Sequence, residues 1–134
     1  MKTMEGNRLG LAGEFRVMSE LLLRGYNPAK SYLENGADIV LDNGLRIEVK
    51  CGHKHKVHRA EGYTFSLLGG HRKHTQKLND CDFLICWCVN EDCFYIIPTD
   101  FIRVTSNIAI SNTESSESKY APYKENWELL SKGR

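Results

Sequence analysis

The sequence predicts an α/β fold, and three patterns carry that expectation. A helical repeat of apolar residues opens the chain in "NRLGLAGEFRVMSELLLRGY". Two short apolar runs, "ADIVL" and "LRIEVK", then flank "DNG", a strong hairpin signal. Further on, "DFLICWCV" is a continuous apolar run, as expected of a strand covered on both faces. The chain has 134 residues, enough for one domain with a hydrophobic core.

In the helix, Leu11, Phe15, Met18 and Leu22 repeat at i, i+4, i+7 and i+11, so they form one apolar stripe expected to be buried. Gly25 follows as a stop signal. Glu14 is expected at the edge of that stripe and Glu20 further out. "YNPAKSY" reads as a possible first strand, restricted to an edge or bulge by Pro28. "YTFSLL" and "CFYIIP" read as strands, the second paired with "DFLICWCV" and ended by Pro98. "HRKHTQKLND" suits a short polar helix or an irregular connection, and "TDFIRV" a helical turn. The expected domain spans 1–134, with a core over about 7–105, a polar loop over about 106–119 and a short C-terminal helix over about 120–132. That last helix would use Tyr123, Trp127 and Leu130.

No apolar run approaches the ~20 residues needed to span a bilayer, and the start, "MKTMEGNRLG", has no secretory-type apolar stretch. The expected location is the cytoplasm, at the nucleoid in a bacterial or archaeal cell. Five cysteines, an odd number with no C-x-x-C pair, suggest neither a disulfide framework nor a zinc ribbon. Cys86 and Cys88 are expected to act as small buried hydrophobes.

The net charge of +1 hides an asymmetry. The stretch from Lys50 to Lys77 carries +6 and the rest of the chain −5, and all five histidines fall in the basic stretch. Clustered Lys and Arg suit a phosphate backbone, which makes Lys54, Lys56, Arg59, Arg72, Lys73 and Lys77 candidate DNA contacts. A solvated basic loop is the plainer alternative.

The hairpin decides which charges share a face. A two-residue Asn43-Gly44 loop would place Asp38 and Glu48 on opposite faces. A three-residue Asp42-Asn43-Gly44 loop, with Gly44 left-handed, pairs Leu41 with Leu45, Ile39 with Ile47 and Asp38 with Glu48. The second register matches apolar to apolar and gathers Asp38, Glu48 and Lys50 on the other face. Two carboxylates that close repel unless a proton or cation intervenes, and a hard divalent cation with oxygen ligands resolves the conflict. Lys50 then lies where it can hold an attacking water or offset phosphate charge. An ordinary Glu–Lys pairing on a wet face is the plainer alternative.

Asp38 followed after nine residues by Glu48-Val49-Lys50, behind a helix carrying Glu14, resembles the PD-(D/E)XK nuclease superfamily. "GLAGEFRVMSELLLRGY", "GADIVL" and "RIEVK" look most like Holliday junction resolvases and the related homing and Mrr-like restriction endonucleases. The resemblance covers roughly Leu9 to Pro98. It implies an αβββαβ restriction-endonuclease-like core with a mixed central sheet flanked by helices, and an Mg²⁺- or Mn²⁺-dependent endodeoxyribonuclease. It implies Asp38, Glu48 and the Val49 carbonyl as metal ligands, Lys50 as the catalytic lysine and Glu14 as the helix carboxylate that some members use. It further implies branched or duplex DNA as substrate, a role in recombination, repair or restriction, and a homodimer, with "CFYIIP" or the Trp127 helix as candidate interfaces. Ala37 stands where the motif has proline, a position that supplies no ligand. A histidine metal site in "HKHKVH" with His71 and His74 lacks a closed ligand set. A non-catalytic DNA-binding subunit is disfavoured, because carboxylates beside phosphate would hinder a pure binder.

Overall fold

The computed structural model describes residues 6–32, 37–57, 60–67, 78, 80–102 and 105–133. Helix α1 (Gly6–Leu23) is followed by β1 (Pro28–Lys30), β2 (Ile39–Leu41), β3 (Arg46–Gly52), β4 (His55–Val57) and β5 (Ala60–Ser66). Then come β6 (Phe83–Cys88), β7 (Cys93–Pro98), a 3₁₀ turn at Thr99–Phe101 and β8 (Asn107–Ile110). Strands β1-β2-β3-β6-β7 form a five-stranded sheet, and β4-β5-β8 a three-stranded one. The larger sheet is mixed: β3 and β6 run parallel, and every other neighbouring pair is antiparallel. The second helix of the expected core falls largely on residues outside those described.

The hairpin adopts the three-residue loop. Ile39 pairs with Ile47 and Val40 with Arg46. Gly44 has φ of 92° and donates its amide to Leu41 at 3.0 Å, a conformation that glycine reaches without a Cβ clash. Leu41 in turn donates to the Leu45 carbonyl at 2.9 Å. Pro28 stands in the edge strand β1, where its missing N–H costs nothing.

The larger sheet is covered on both faces. One face packs Ile39, Leu41, Ile47, Val49, Ile85 and Ile96 against Val17 and Leu21 of α1 and against Trp127 and Leu130. The other packs Leu84, Cys86, Cys88, Tyr95 and Ile97 against Tyr63, Phe65, Ile108 and Ile110 of the smaller sheet. The burial of Cys86 and Cys88 agrees with their expected packing role.

Helix α1 turns the opposite way from the sequence expectation. Its buried residues are Leu9, Gly13, Val17 and Leu21, whereas Leu11, Phe15 and Leu22 are exposed. Glu20 is also less exposed than Glu14, because Arg16 and Arg24 both close on it. The reason lies at Gly13. A Cβ there would meet Cys51 Sγ at 2.5 Å and Cys51 Cβ at 3.0 Å, so only glycine lets α1 approach β3 this closely. Close approach of helix to sheet outweighs the larger side chains of the other stripe.

Three further expectations are corrected. The stretch read as a polar loop contains β8, whose Ile108 and Ile110 enter the core. The C-terminal helix is two 3₁₀ segments, Ala121–Tyr123 and Trp127–Lys132. The apolar residues of "CFYIIP", and Trp127 with Leu130, are buried within this chain, so neither offers a dimer interface. The segment around Glu125 also covers the edge of β7. Glu125 donates its amide to the Phe94 carbonyl at 2.8 Å, and its Oε2 accepts the Phe94 amide at 2.8 Å. Among the described residues, no helix is long and apolar enough to cross a membrane.

Gly13→Ala is expected to destabilise the protein by about 1–3 kcal/mol through overpacking, less the helix-propensity gain of ~1 kcal/mol. Denaturant unfolding of Gly13→Ala, Cys51→Ala and the double variant should show favourable coupling of at least about 0.5 kcal/mol, since the sulfur is the atom struck. Strict additivity would place the strain elsewhere.

Candidate functional site

Strand β3 alternates its side chains between the two cores. Ile47 and Val49 point to α1. Glu48 lies beside Leu84 and Lys50 beside Cys86 in the parallel register, and Leu84 and Cys86 belong to the opposite core. Glu48 is therefore 4% exposed on the side of the smaller sheet. Lys50 follows two residues later on the same side, half-buried. Among the described residues Lys50 enters no ion pair, so the plain Glu–Lys pairing is not formed.

Asp38 stands one residue beyond the β2–β3 ladder. Its amide donates to the Ile47 carbonyl at 3.0 Å, and its Oδ2 accepts the Val49 amide at 2.9 Å. The carboxylate is thus folded onto the β3 backbone beside Glu48. Glu48 is engaged with its surroundings, while its Oε1 is buried with no hydrogen bond among the described residues.

Glu14 reaches the same region from the α1 side, and it brings a partner that the sequence did not single out. Lys30, at the end of β1, forms an ion pair with Glu14. It lies opposite Ile39, the residue next to Asp38, and so on the α1 face. Glu14 holds the Lys30 ammonium above the ordinary lysine range, and the charge of Asp38 adds to the effect. Cys51 sits in the same neighbourhood: burial pushes its thiol up to about 11, and the charges of Glu14, Lys50 and Asp38 all reach it. Its Sγ donates to the Leu9 carbonyl at 3.2 Å, so the thiol serves packing. The only sequence trace of Lys30 was a lysine in an edge strand that pairs with β2.

The basic candidates divide. Lys56 is exposed on β4, opposite Glu61. Lys54 is held: its Nζ lies 2.5 Å from Glu91 Oε2, and its amide donates to Asn90 Oδ1 at 2.8 Å. Arg59, Arg72, Lys73 and Lys77 lie outside the described residues. His53 is in the turn before β4 with its Nε2 buried, and His55 Nδ1 is 3.3 Å from the His53 carbonyl. Among the described residues no group of three or more His, Cys, Asp or Glu is arranged around a metal site.

A single turn between β6 and β7 braces this end of the molecule. Tyr63 donates to Glu91 Oε1 at 2.7 Å and accepts the Asn90 amide at 3.1 Å. Arg16 of α1 donates to both oxygens of Asp92, at 3.2 and 2.9 Å, and Trp87 Nε1 donates to Asp92 Oδ1 at 2.7 Å. Asp92 has φ of 51°, a left-handed conformation that short polar side chains tolerate. The turn therefore ties α1, β5 and the β3–β4 connection together. Nothing in the sequence marks it beyond "NED".

The fold agrees with comparison to known proteins. The model of the PD-(D/E)XK endonuclease family matches residues 4–130. The chain belongs to the PD-(D/E)XK endonuclease family. Among solved structures, the bacterial homing endonuclease I-Ssp6803I superposes with a TM-score of 0.76 at 21% sequence identity, covering 98% of this chain and 95% of that one. Identity that low supports a shared fold. None of the curated protein sequences matches.

The Asp92 bracing has a pH signature. Hydrogen bonding to Arg16 holds the Asp92 carboxyl below the ordinary carboxylate range. Its contribution is present above the unfolded value and is lost as pH falls through the folded one. Asp92→Asn keeps a residue suited to the turn but removes the titration. Urea midpoints should fall more steeply for wild type than for Asp92→Asn between about pH 5 and pH 2. Parallel curves would show that the pair adds nothing to stability.

Proposed function

We propose that this protein is a divalent-metal-dependent endodeoxyribonuclease that hydrolyses phosphodiester bonds in duplex DNA, in the manner of a homing or restriction-type enzyme. The observation that carries the proposal is the meeting of Asp38, Glu48 and Lys50 at the end of the β2–β3 hairpin, with the Asp38 carboxylate against Val49. The donors are hard carboxylate and carbonyl oxygens, which suit Mg²⁺ or Mn²⁺. Mg²⁺ usually needs only one or two carboxylates, with waters and substrate phosphate completing its shell. Fewer than three acidic side chains therefore fit it. In this reading Asp38, Glu48 and the Val49 carbonyl hold the ion. When bound, it supplies Lewis-acid stabilisation of phosphoryl charge and a more acidic water.

The remaining roles fall to the chain itself. Lys50 positions the attacking water or stabilises charge developing on the phosphoryl oxygens. Glu14, held by Lys30, closes the α1 side of the site. Lys56 takes a flanking phosphate, with Lys54 restrained by Glu91 and contributing less. The family resemblance implies a product that carries a 5′-phosphate. A duplex has two strands to cut, so the reading includes a homodimer with two active sites. The junction-resolvase reading rests on the same helix and hairpin. Likeness to a homing endonuclease over nearly the full length supports duplex cleavage ahead of it. A Mg²⁺ cleavage panel of linear duplex, four-way junction, flap and single strand tests the choice. Duplex should be cut most efficiently; cleavage of the junction alone would restore the resolvase.

Lys50→Ala is expected to fold and to bind DNA, yet to cleave about 10²-fold or more slowly, corresponding to roughly 2.7 kcal/mol at the barrier. Single-turnover measurement with enzyme in excess prevents weak binding from imitating slow chemistry. Wild-type rates in Lys50→Ala would defeat the assignment.

Lys56→Ala should weaken binding to all sequences alike and reduce the salt slope of log K by about one. Lys54→Ala should change it less. Titration of DNA binding at several salt concentrations checks both, and equal effects would mean that the Glu91 ion pair does not restrain Lys54.

A further inference from the structure

Helix α1 carries a second apolar stripe that the described residues leave largely open, with Met18 alone packed in part against the core. Leu11 is 47% exposed, Phe15 53%, Leu22 59% and Leu23 78%, with Met18 between them and Tyr32 at 86%. Phe15 and Tyr32 both lie near the Lys30 ammonium, 5.8 Å from one ring and 5.5 Å from the other. Scattered exposed leucines are ordinary, but an exposed apolar helix stripe with two exposed aromatics calls for a partner.

We propose that the stripe seats a second copy of this chain, with the two α1 helices packed antiparallel about a two-fold axis. Leu11, Phe15, Met18 and Leu22 are spaced 4-3-4, the interval of a helix–helix seam in which each knob enters a hole of the facing helix. Such a stripe is complementary to itself, as a two-fold interface demands. Its area suffices. Aromatics bury ~150–250 Å² each, so the stripe exposes on the order of 500 Å² at these exposures. Two copies then approach the ~1,000 Å² that a specific interface requires.

The charges around the stripe allow the same arrangement. Glu14 is closed by Lys30, Arg16 by Asp92 and Glu20, and Arg24 by Glu20 and Glu125. A second copy therefore meets compensated pairs. Arg8 is exposed in the first turn of α1, which has no acidic residue there and no basic residue in its last turn. A cation at a helix N-terminus is unfavourable, but antiparallel packing sets Arg8 against the carbonyl end of the partner's helix, where the adjoining Arg24 is already held by Glu20 and Glu125. The inference draws on the proposed duplex cleavage only for the expectation that copies pair. The choice of face rests on α1 alone.

Sedimentation velocity of the full chain tests the proposal without reference to nuclease activity. Wild type should be dimeric at micromolar concentration. Phe15→Glu and Leu22→Glu should be monomeric, with dissociation constants raised by at least about 100-fold. Lys132→Glu, far along the chain, should remain dimeric. Circular dichroism confirms folding, and Leu22→Gln offers a milder change at an exposed position. Wild type that is monomeric at high micromolar concentration overturns both this interface and the pairing. A dimer that persists in folded Phe15→Glu and Leu22→Glu overturns this interface and leaves the pairing intact.

Discussion

The register of the β2–β3 hairpin is the constraint on which the rest of the molecule depends. Strand side chains alternate, so a slip of one residue would exchange every face. Ile47 and Val49 would leave the α1 core, and Glu48 and Lys50 would enter it. Burying those two charges among Val17, Leu21 and Ile85 would cost several kcal/mol each. Gly44, in its left-handed turn, is the small device that prevents this. The hydrophobic pattern and the position of the site are therefore decided together.

Around the hairpin, two unlike layers hold the larger sheet. On the α1 side, close approach at Gly13 sets the depth of the helix and brings Glu14 to the end of β2. On the other side, β5 and β8 cover Leu84 and Cys86 and enclose Glu48. The β6–β7 turn then fastens both layers through Arg16, Lys54 and Tyr63. The turn follows Cys88 at the far end of β6, while Glu48 stands beside Leu84 near its start and Lys50 beside Cys86 between them.

Much of this was legible in the sequence. The "DNG" signal marked the hairpin, and apolar pairing was enough to select the Ile39–Ile47 register over the one a two-residue Asn-Gly turn would impose. The apolar run of β6 and its pairing with β7 were equally clear. The helix face was not. Periodicity weighs side-chain hydrophobicity, and the stripe of Leu9, Gly13, Val17 and Leu21 contains a glycine whose value is its lack of bulk. Strand β8 was hidden because its two buried isoleucines stand among serines and asparagines. Lys30 and Glu91 were invisible for another reason: each acquires its role from a partner distant in sequence, Glu14 for one and Lys54 with Tyr63 for the other. Local patterns do not encode such meetings.

The covering of β7 by the C-terminal segment has a consequence for how the chain reaches this state. Arg24 contacts Glu125, and Tyr26 contacts the Trp127 carbonyl, each across 101 residues of sequence. Contacts that close loops of such length are entropically costly to nucleate and fall late on a folding route. Until they form, β7 presents unpaired amides and carbonyls beside Phe94 and Ile96, a template on which another nascent strand can grow. The last segment to dock is thus the one that shields the sheet from misassembly. The hazard for this protein is kinetic and lies in the interval before Glu125 closes on Phe94.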